Sequence, residues 1–296
     1  MVSSLALSAA CTKKDGSKED EGKEAYKEIE KTFDETEPPA AERKPVEGVN
    51  AAELDKPIQV RFEALADNLP SPCGKAHSLR TSRNTDADCK RAPFAVEYVF
   101  ELAKDGASDS EIKELYALRF RETKAYEFKL SAETPHHGPT DATVQIVEFF
   151  DYGCPACKQM KPLLEEVLAG MENEVVLYYK QFPLSAHPDS QGAAQAALAA
   201  NKQGKFDEMH AMLFADQHAH KLDSLKSYAT KIGVNLPQWN TDYAAFSSLV
   251  DADKAEGEAA GVSGTPAIFI NGRSYEGPNS AKYMTMWLSE ALAEAI

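Results

Sequence analysis

Residues 144–161, VQIVEFFDYGCPACKQMK, decide the fold of this chain. The apolar run predicts a β-strand ending near Phe150, and a helix is predicted from Cys154 onward because Pro155 suits a first helical position. At a helix N-terminus, unpaired amides and the helix dipole favour a thiolate at Cys154. Two cysteines separated by two residues, as Cys154 and Cys157 are, can form and break a disulfide reversibly. The same spacing also occurs as half of a structural zinc site.

A second segment, residues 261–272 with the sequence GVSGTPAIFING, favours the redox interpretation. Thr265 and Pro266 open a short apolar strand that ends in an Asn-Gly turn. A proline at this position also occurs simply at the start of an edge strand. The sequence contains no second Cys-x-x-Cys that could complete a zinc site.

Together the two segments resemble the thioredoxin superfamily, and residues 149–157 are similar to its DsbA branch, over roughly residues 125–296. The resemblance implies an α/β thioredoxin fold with a helical insertion, and helical patterns are indeed predicted near 190–203, 206–214, 222–232 and 243–260. It also implies that Pro266 is in cis against the dithiol and that Gly264, Thr265 and Pro266 bind an incoming peptide strand. Cys154 and Cys157 would be the catalytic pair.

Glu148 matches the position of the family's buried carboxylate, which helps proton transfer to and from the dithiol. Its neighbours are apolar, and an unpaired carboxylate buried among them is expected to have a task. A solvated strand residue is the alternative. The intervening residues Pro155 and Ala156 depart from the best-known Pro-His dipeptide, which leaves the reduction potential open between about −120 and about −270 mV.

Three histidines and one lysine near the motifs have two interpretations each. Lys158 could replace the missing cationic partner of Cys154, or be exposed. His187 could line the active-site face, or be a turn residue before a proline. His136 and His137 could bind a metal, or lie in an interdomain loop.

The N-terminal part of the chain is predicted to be a tether. Cys11 follows an apolar stretch that resembles the end of a bacterial lipoprotein signal (residues 1–11), which makes it a lipidation candidate; an ordinary free cysteine is the alternative. Residues 12–57 contain 9 Lys or Arg and 14 Asp or Glu. Such a composition cannot bury a core, so we predict a charged flexible linker.

Residues 58–124 are predicted to form a small α-helical domain, in which Ser108 and Glu111 are spaced as a capping box. A disulfide between Cys73 and Cys89 would stabilise it by about 3 kcal/mol. A redox relay to the catalytic pair and metal binding with His77 are the alternatives. The segment weakly resembles CcmH-type cytochrome c maturation proteins, whose redox Cys-x-x-Cys it lacks.

The formal net charge of −15 argues against nucleic acid and against adhesion to an anionic membrane. The division of the five cysteines into the pair Cys154 and Cys157, the pair Cys73 and Cys89, and Cys11 alone indicates an oxidising compartment. We therefore predict a thiol:disulfide oxidoreductase of the bacterial periplasm or cell envelope. A solvent-facing Cys154 would exchange disulfides with thiol-containing envelope proteins, Cys157 would resolve the mixed disulfide, and no metal or cofactor beyond the redox-active disulfide is expected.

The oxidase direction is favoured. It requires a membrane partner resembling DsbB or a vitamin K epoxide reductase homologue, whereas the reductase direction requires a DsbD-like donor. The alternatives are a reductase in cytochrome c maturation and a non-catalytic peptide-binding module with a permanent disulfide.

Overall fold

The computed structural model describes residues 21, 23–27, 44–131 and 133–295. Its contacts divide the described chain into two units. The first contains the residues up to Thr123 together with those from Glu276 onward, and the second runs from Lys124 to Tyr275. Cys11 and most of the predicted linker lie outside the described residues.

The first unit is helical. Its described residues include a 3-10 helix (Ala51–Glu53) and the helices α1 (Lys56–Asn68), α2 (Leu79–Asn84), α3 (Ala92–Lys104), α4 (Asp109–Phe120) and, from the end of the chain, α11 (Ala281–Glu294). The predicted capping box at the start of α4 is confirmed, since Ser108 and Glu111 each bond the other's backbone N–H. Cys73 and Cys89 form a disulfide with their Cα atoms 5.8 Å apart.

Two boundaries of this unit differ from those predicted. Val46 and Leu54 belong to its hydrophobic core, so the folded part begins before residue 58. Residues 276–296 were predicted as the end of the thioredoxin domain, whereas α11 groups with the N-terminal helices. Buried Arg119 on α4 holds α11 there by donating to the Glu290 carboxylate at 2.8 Å.

The second unit is built on a five-stranded sheet. The strands are β1 (His136–His137), β2 (Val144–Phe150), β3 (Val175–Gln181), β4 (Ala267–Ile270) and β5 (Arg273–Ser274), in the order β1-β3-β2-β4-β5. β2 and β3 are parallel, and the other pairs are antiparallel. The two central strands are buried along almost their whole length, including the polar residues Glu148, Lys180 and Gln181. This is the predicted α/β thioredoxin fold.

Helix α5 (Pro155–Ala169) connects β2 to β3, and five further helices lie between β3 and β4. They are α6 (Ser190–Asn201), α7 (Phe206–Ala215), α8 (Leu222–Lys231), α9 (Leu236–Ala245) and α10 (Ser247–Ala259). They form the predicted helical insertion. The single helix predicted over 243–260 is wrong, because Phe246 separates α9 from α10 with φ −83° and ψ 1°.

Two further findings concern the segment at His136 and His137 and the apolar character of the helices. The expected interdomain loop at His136 and His137 is instead the edge strand β1, where His136 is in register with Tyr178 of β3. Within the described ranges, no helix combines the length and the apolar character needed to cross a membrane.

Candidate active site

The end of β2 and the start of α5 place the two cysteines. Residues 151–153 turn the chain, and the N–H of Cys154 donates to the carbonyl of Asp151 at 3.0 Å. Cys154 is the N-cap of α5 and Pro155 is its first helical residue. Cys157 therefore lies one turn into the helix, on the buried face. The positive end of the helix dipole is at Cys154, as predicted.

The segment before β4 approaches the same point from the other side. The Thr265–Pro266 peptide bond is cis, as the resemblance implies. The Sγ atom of Cys154 lies 3.4 Å from the carbonyl oxygen of Thr265, and Thr265 is buried. The structure thus brings together the cysteine pair and the Thr-Pro segment, with Gly264 directly before it.

Cys154 is itself 0 % exposed. Its sulfur is in a disulfide bond in this structure, so the solvent-facing position of the Cys154 thiol stays a prediction. Cys157 is a free thiol and is equally buried.

Glu148 lies in the middle of β2, in register with Tyr179 of β3 and Ile268 of β4. It is only 3 % exposed, so the solvated alternative does not hold. Burial raises the pKa of Glu148 to about 8, and the positive charge of Lys161 on α5 opposes this rise. A carboxyl with such a pKa gives up or takes a proton near neutral pH.

The Cys157 thiol is strongly biased toward its protonated form. Its pKa is raised first by burial and then by the negative charge of Glu148. The N–H of Asp151, which lies 3.5 Å from the Sγ atom, acts in the opposite direction. Departure of Cys157 as a thiolate therefore requires a nearby proton donor.

Asp151 was missed by the sequence analysis. Its carboxylate is 0 % exposed and accepts four hydrogen bonds. The donors are Gly153 N at 2.6 Å, Ser190 Oγ at 2.5 Å, Leu184 N at 2.7 Å and His187 Nδ1 at 2.8 Å. His187 is thus a member of this network. An acidic residue three positions before Cys154 was the available signal, but three of its four partners lie more than 30 residues later in the chain.

Gln217 was also missed. It lies between α7 and α8, and its Nε2 donates to the carbonyls of Tyr152 and Cys154, each at 2.8 Å. The helical insertion therefore fixes the active-site turn from a second side. Lys158 has an exposed side chain and donates to the carbonyl of Ala215 at 3.1 Å.

A buried aromatic cluster supports this side of the turn. His210 on α7 shares a hydrogen bond of 3.0 Å between its Nδ1 and the hydroxyl of Tyr152. Burial, together with the charge of Lys161, lowers the pKa of His210 to about 3, so its ring is neutral. Aromatic rings surround it, namely those of Phe150, Tyr152, Tyr179, Phe206 and Phe214.

The described residues contain no group of three or more His, Cys, Asp or Glu side chains placed to hold a metal ion. His77 near the disulfide, His136 and His137 are among these described residues. His77 lies with its Nε2 3.4 Å from the Asp86 carboxylate, which also binds Lys75 at 2.8 Å.

Comparisons with known proteins agree with this geometry. The family model described as Thioredoxin matches residues 130–290. Na(+)/H(+) antiporter NhaA 3 of Salinispora tropica is 36 % identical over 163 residues, which are 53 % of this chain and 24 % of the antiporter. The chain thus spans about a quarter of the length of the curated relatives it matches.

Among solved structures, oxidised BdbD from Bacillus subtilis is 21 % identical and is matched with a TM-score of 0.50 over 58 % of this chain and 100 % of that one. A thioredoxin-like oxidoreductase from Silicibacter pomeroyi is 26 % identical, with a TM-score of 0.49 over 54 % of this chain and 93 % of the other. The likeness to BdbD supports the fold.

Proposed function

The chain belongs to the thioredoxin family, and we propose on that premise that it is a cell-envelope thiol:disulfide oxidoreductase that exchanges disulfides with substrate proteins through Cys154 and Cys157. The observation that carries the proposal is the arrangement of three features at the two cysteines. Cys154 caps the N-terminus of α5, its Sγ lies 3.4 Å from the Thr265 carbonyl, and the charge of buried Glu148 acts on Cys157.

In the oxidase direction, a substrate thiolate attacks Sγ of Cys154 in the Cys154–Cys157 disulfide. The new bond joins the substrate sulfur to Cys154, and Cys157 leaves with the electron pair. A second substrate thiolate then attacks the first substrate sulfur. This step releases the substrate disulfide and leaves Cys154 as a thiolate, so two electrons pass from the substrate to the pair.

Glu148 supplies the proton in the first of these steps. With a pKa of about 8 it is mostly protonated at neutral pH, and the burial that raises the Cys157 pKa makes the departing thiolate a strong base. The proton therefore moves from the Glu148 carboxyl to Cys157 as the mixed disulfide forms. In the reverse direction Glu148 accepts it again.

The remaining site residues position these groups. Pro155 and Ala156 lie in the first turn of α5, so the positive end of the helix dipole is at Cys154. Gly264, Thr265 and Pro266 present the backbone along which an extended substrate segment would lie, with its thiol directed at Cys154. Cys73 and Cys89 have a structural role in the helical unit.

In this scheme a membrane partner resembling DsbB or a vitamin K epoxide reductase homologue reoxidises the pair, and lipidation of Cys11 would hold the protein at the membrane.

One observation favours the opposite, reductase direction. The Pro-Ala dipeptide provides no histidine beside Cys154, which weakens stabilisation of the thiolate and lowers the potential. A reductase supplied by a DsbD-like donor, as in cytochrome c maturation, is therefore the second candidate.

The test is the equilibrium reduction potential of the Cys154–Cys157 pair in glutathione buffers. A Cys73→Ser/Cys89→Ser variant assigns the signal to the catalytic pair. A value near about −120 mV supports the oxidase, and a value near about −270 mV supports the reductase. A pair that does not exchange at all contradicts both and leaves a peptide-binding module.

A further inference from the structure

We propose that Asp151 and His187 are positioning residues whose opposite charges set the equilibrium between the oxidised and reduced Cys154–Cys157 pair. This inference rests on the proposed function. It concerns the protein's preference for donating or accepting a disulfide, which the cysteine spacing alone does not determine.

The carboxylate of Asp151 joins two separate parts of the chain. Its Oδ1 accepts from Gly153 N and Ser190 Oγ, and its Oδ2 accepts from Leu184 N and His187 Nδ1. Gly153 is thereby bound directly to the segment that leads into α6. Because Gly153 immediately precedes Cys154, the position of the sulfur depends on this carboxylate.

The segment around His187 and Ser190 approaches Gly153 so closely that no side chain fits there. A Cβ atom added at Gly153 would lie 2.7 Å from Cβ of His187 and 2.8 Å from Oγ of Ser190. The imidazole of His187 therefore packs against the residue next to Cys154. Its side chain is 24 % exposed, whereas that of Asp151 is 0 % exposed.

The two charges act on the cysteines with opposite signs. The backbone N–H of Asp151 lies 3.5 Å from Sγ of Cys157, and the Asp151 charge contributes to the raised Cys157 pKa. A buried negative charge disfavours a thiolate nearby, and a protonated imidazole favours it. Reduction of the pair by a dithiol transfers two electrons and leaves a thiolate at Cys154, so the same charges bias the redox equilibrium.

Three variants separate this electrostatic role from a structural one. Asp151→Asn removes the negative charge, His187→Gln removes the positive charge and keeps a donor, and the double variant removes both. Gln217→Ala is the matched control, because Gln217 binds the same turn through two carbonyls without carrying a charge. Glu148 and Lys161, the other charges acting at the site, are unchanged in all of them.

Each protein is equilibrated with glutathione at the same pH. We expect Asp151→Asn to shift the equilibrium toward the reduced pair by about tenfold, and His187→Gln to shift it toward the disulfide by a similar factor. A tenfold change corresponds to about 30 mV. The double variant should return close to wild type.

Shifts of the same sign in the two single variants, or shifts no larger than that of Gln217→Ala, overturn the inference while leaving the proposed function intact. Should Asp151→Asn not fold, His187→Gln decides alone, since a shift toward the reduced pair or no shift overturns it. If the wild type does not exchange with glutathione, the proposed function fails and this inference fails with it.

Discussion

Replacing Glu148 by Gln should make the protein more stable at neutral and alkaline pH. The substitution keeps the shape and hydrogen-bonding capacity of a protonated carboxyl but removes its ability to ionise. In the folded protein Glu148 is 3 % exposed, and burial raises its pKa from 4.5 to about 8. A carboxyl buried in this way is compatible with the folded state when it is protonated, and it destabilises the folded protein when it is ionised.

The sign and size follow from the two pKa values. Below pH 4.5 the carboxyl is protonated in both states, so it has no pH-dependent effect on stability. Between 4.5 and about 8 only the unfolded chain releases the proton, and the free energy of unfolding falls as the pH rises. At 1.36 kcal/mol for each pKa unit, the loss reaches about 3 kcal/mol at pH 7 and about 5 kcal/mol above pH 8.

The assay is denaturant unfolding of the oxidised wild type and of Glu148→Gln across this pH range. Glu166→Gln, at an exposed position on the adjoining helix α5, is the matched control. We expect the stability difference between wild type and Glu148→Gln to grow by about 3 kcal/mol from pH 4 to pH 7, and the control to follow the wild type. A difference that stays constant over this range would refute the assignment of a raised pKa to Glu148.

Three further predictions concern the rest of the chain. Lys180→Met should lower the free energy of unfolding by about 3–5 kcal/mol in denaturant titrations, because it leaves two buried carboxylates without their cation; an unchanged midpoint would contradict this. Gly153→Ala should slow disulfide exchange by roughly a hundredfold in stopped-flow measurements, since its Cβ would displace the active-site turn by a large fraction of an ångström. Gly170→Ala, with its nearest atom 3.7 Å away, is the control and should react at the wild-type rate. Cys73→Ser/Cys89→Ser should lower stability by about 3 kcal/mol without changing turnover, whereas loss of turnover would support a redox relay.

The parts of the fold that depend on neighbouring residues were predictable from the sequence. The strand ending at Phe150, the helix starting at Pro155 and the cap at Ser108 are each specified within a few residues. Most of α9 lies before residue 243 and was not predicted, whereas α6, α7 and α8 follow from their apolar spacing. The break at Phe246 does not, because the pattern continues through it while the backbone leaves helical values.

The parts that depend on distant contacts were not predictable. Asp151 can be identified as a site residue only in the folded structure, where Leu184, His187 and Ser190 donate hydrogen bonds to its carboxylate. The amphipathic pattern of α11 is compatible with packing on either unit, and the buried pair between Arg119 and Glu290 joins residues 171 positions apart.

The most direct test of the central claim is oxidative refolding of a reduced, denatured substrate protein by the oxidised enzyme, with Cys154→Ala and Cys157→Ala in parallel. The account predicts that the wild type introduces disulfides, that Cys154→Ala does not, and that Cys157→Ala accumulates a mixed disulfide through Cys154 detectable by mass spectrometry. Refolding by Cys154→Ala at the wild-type rate would contradict it.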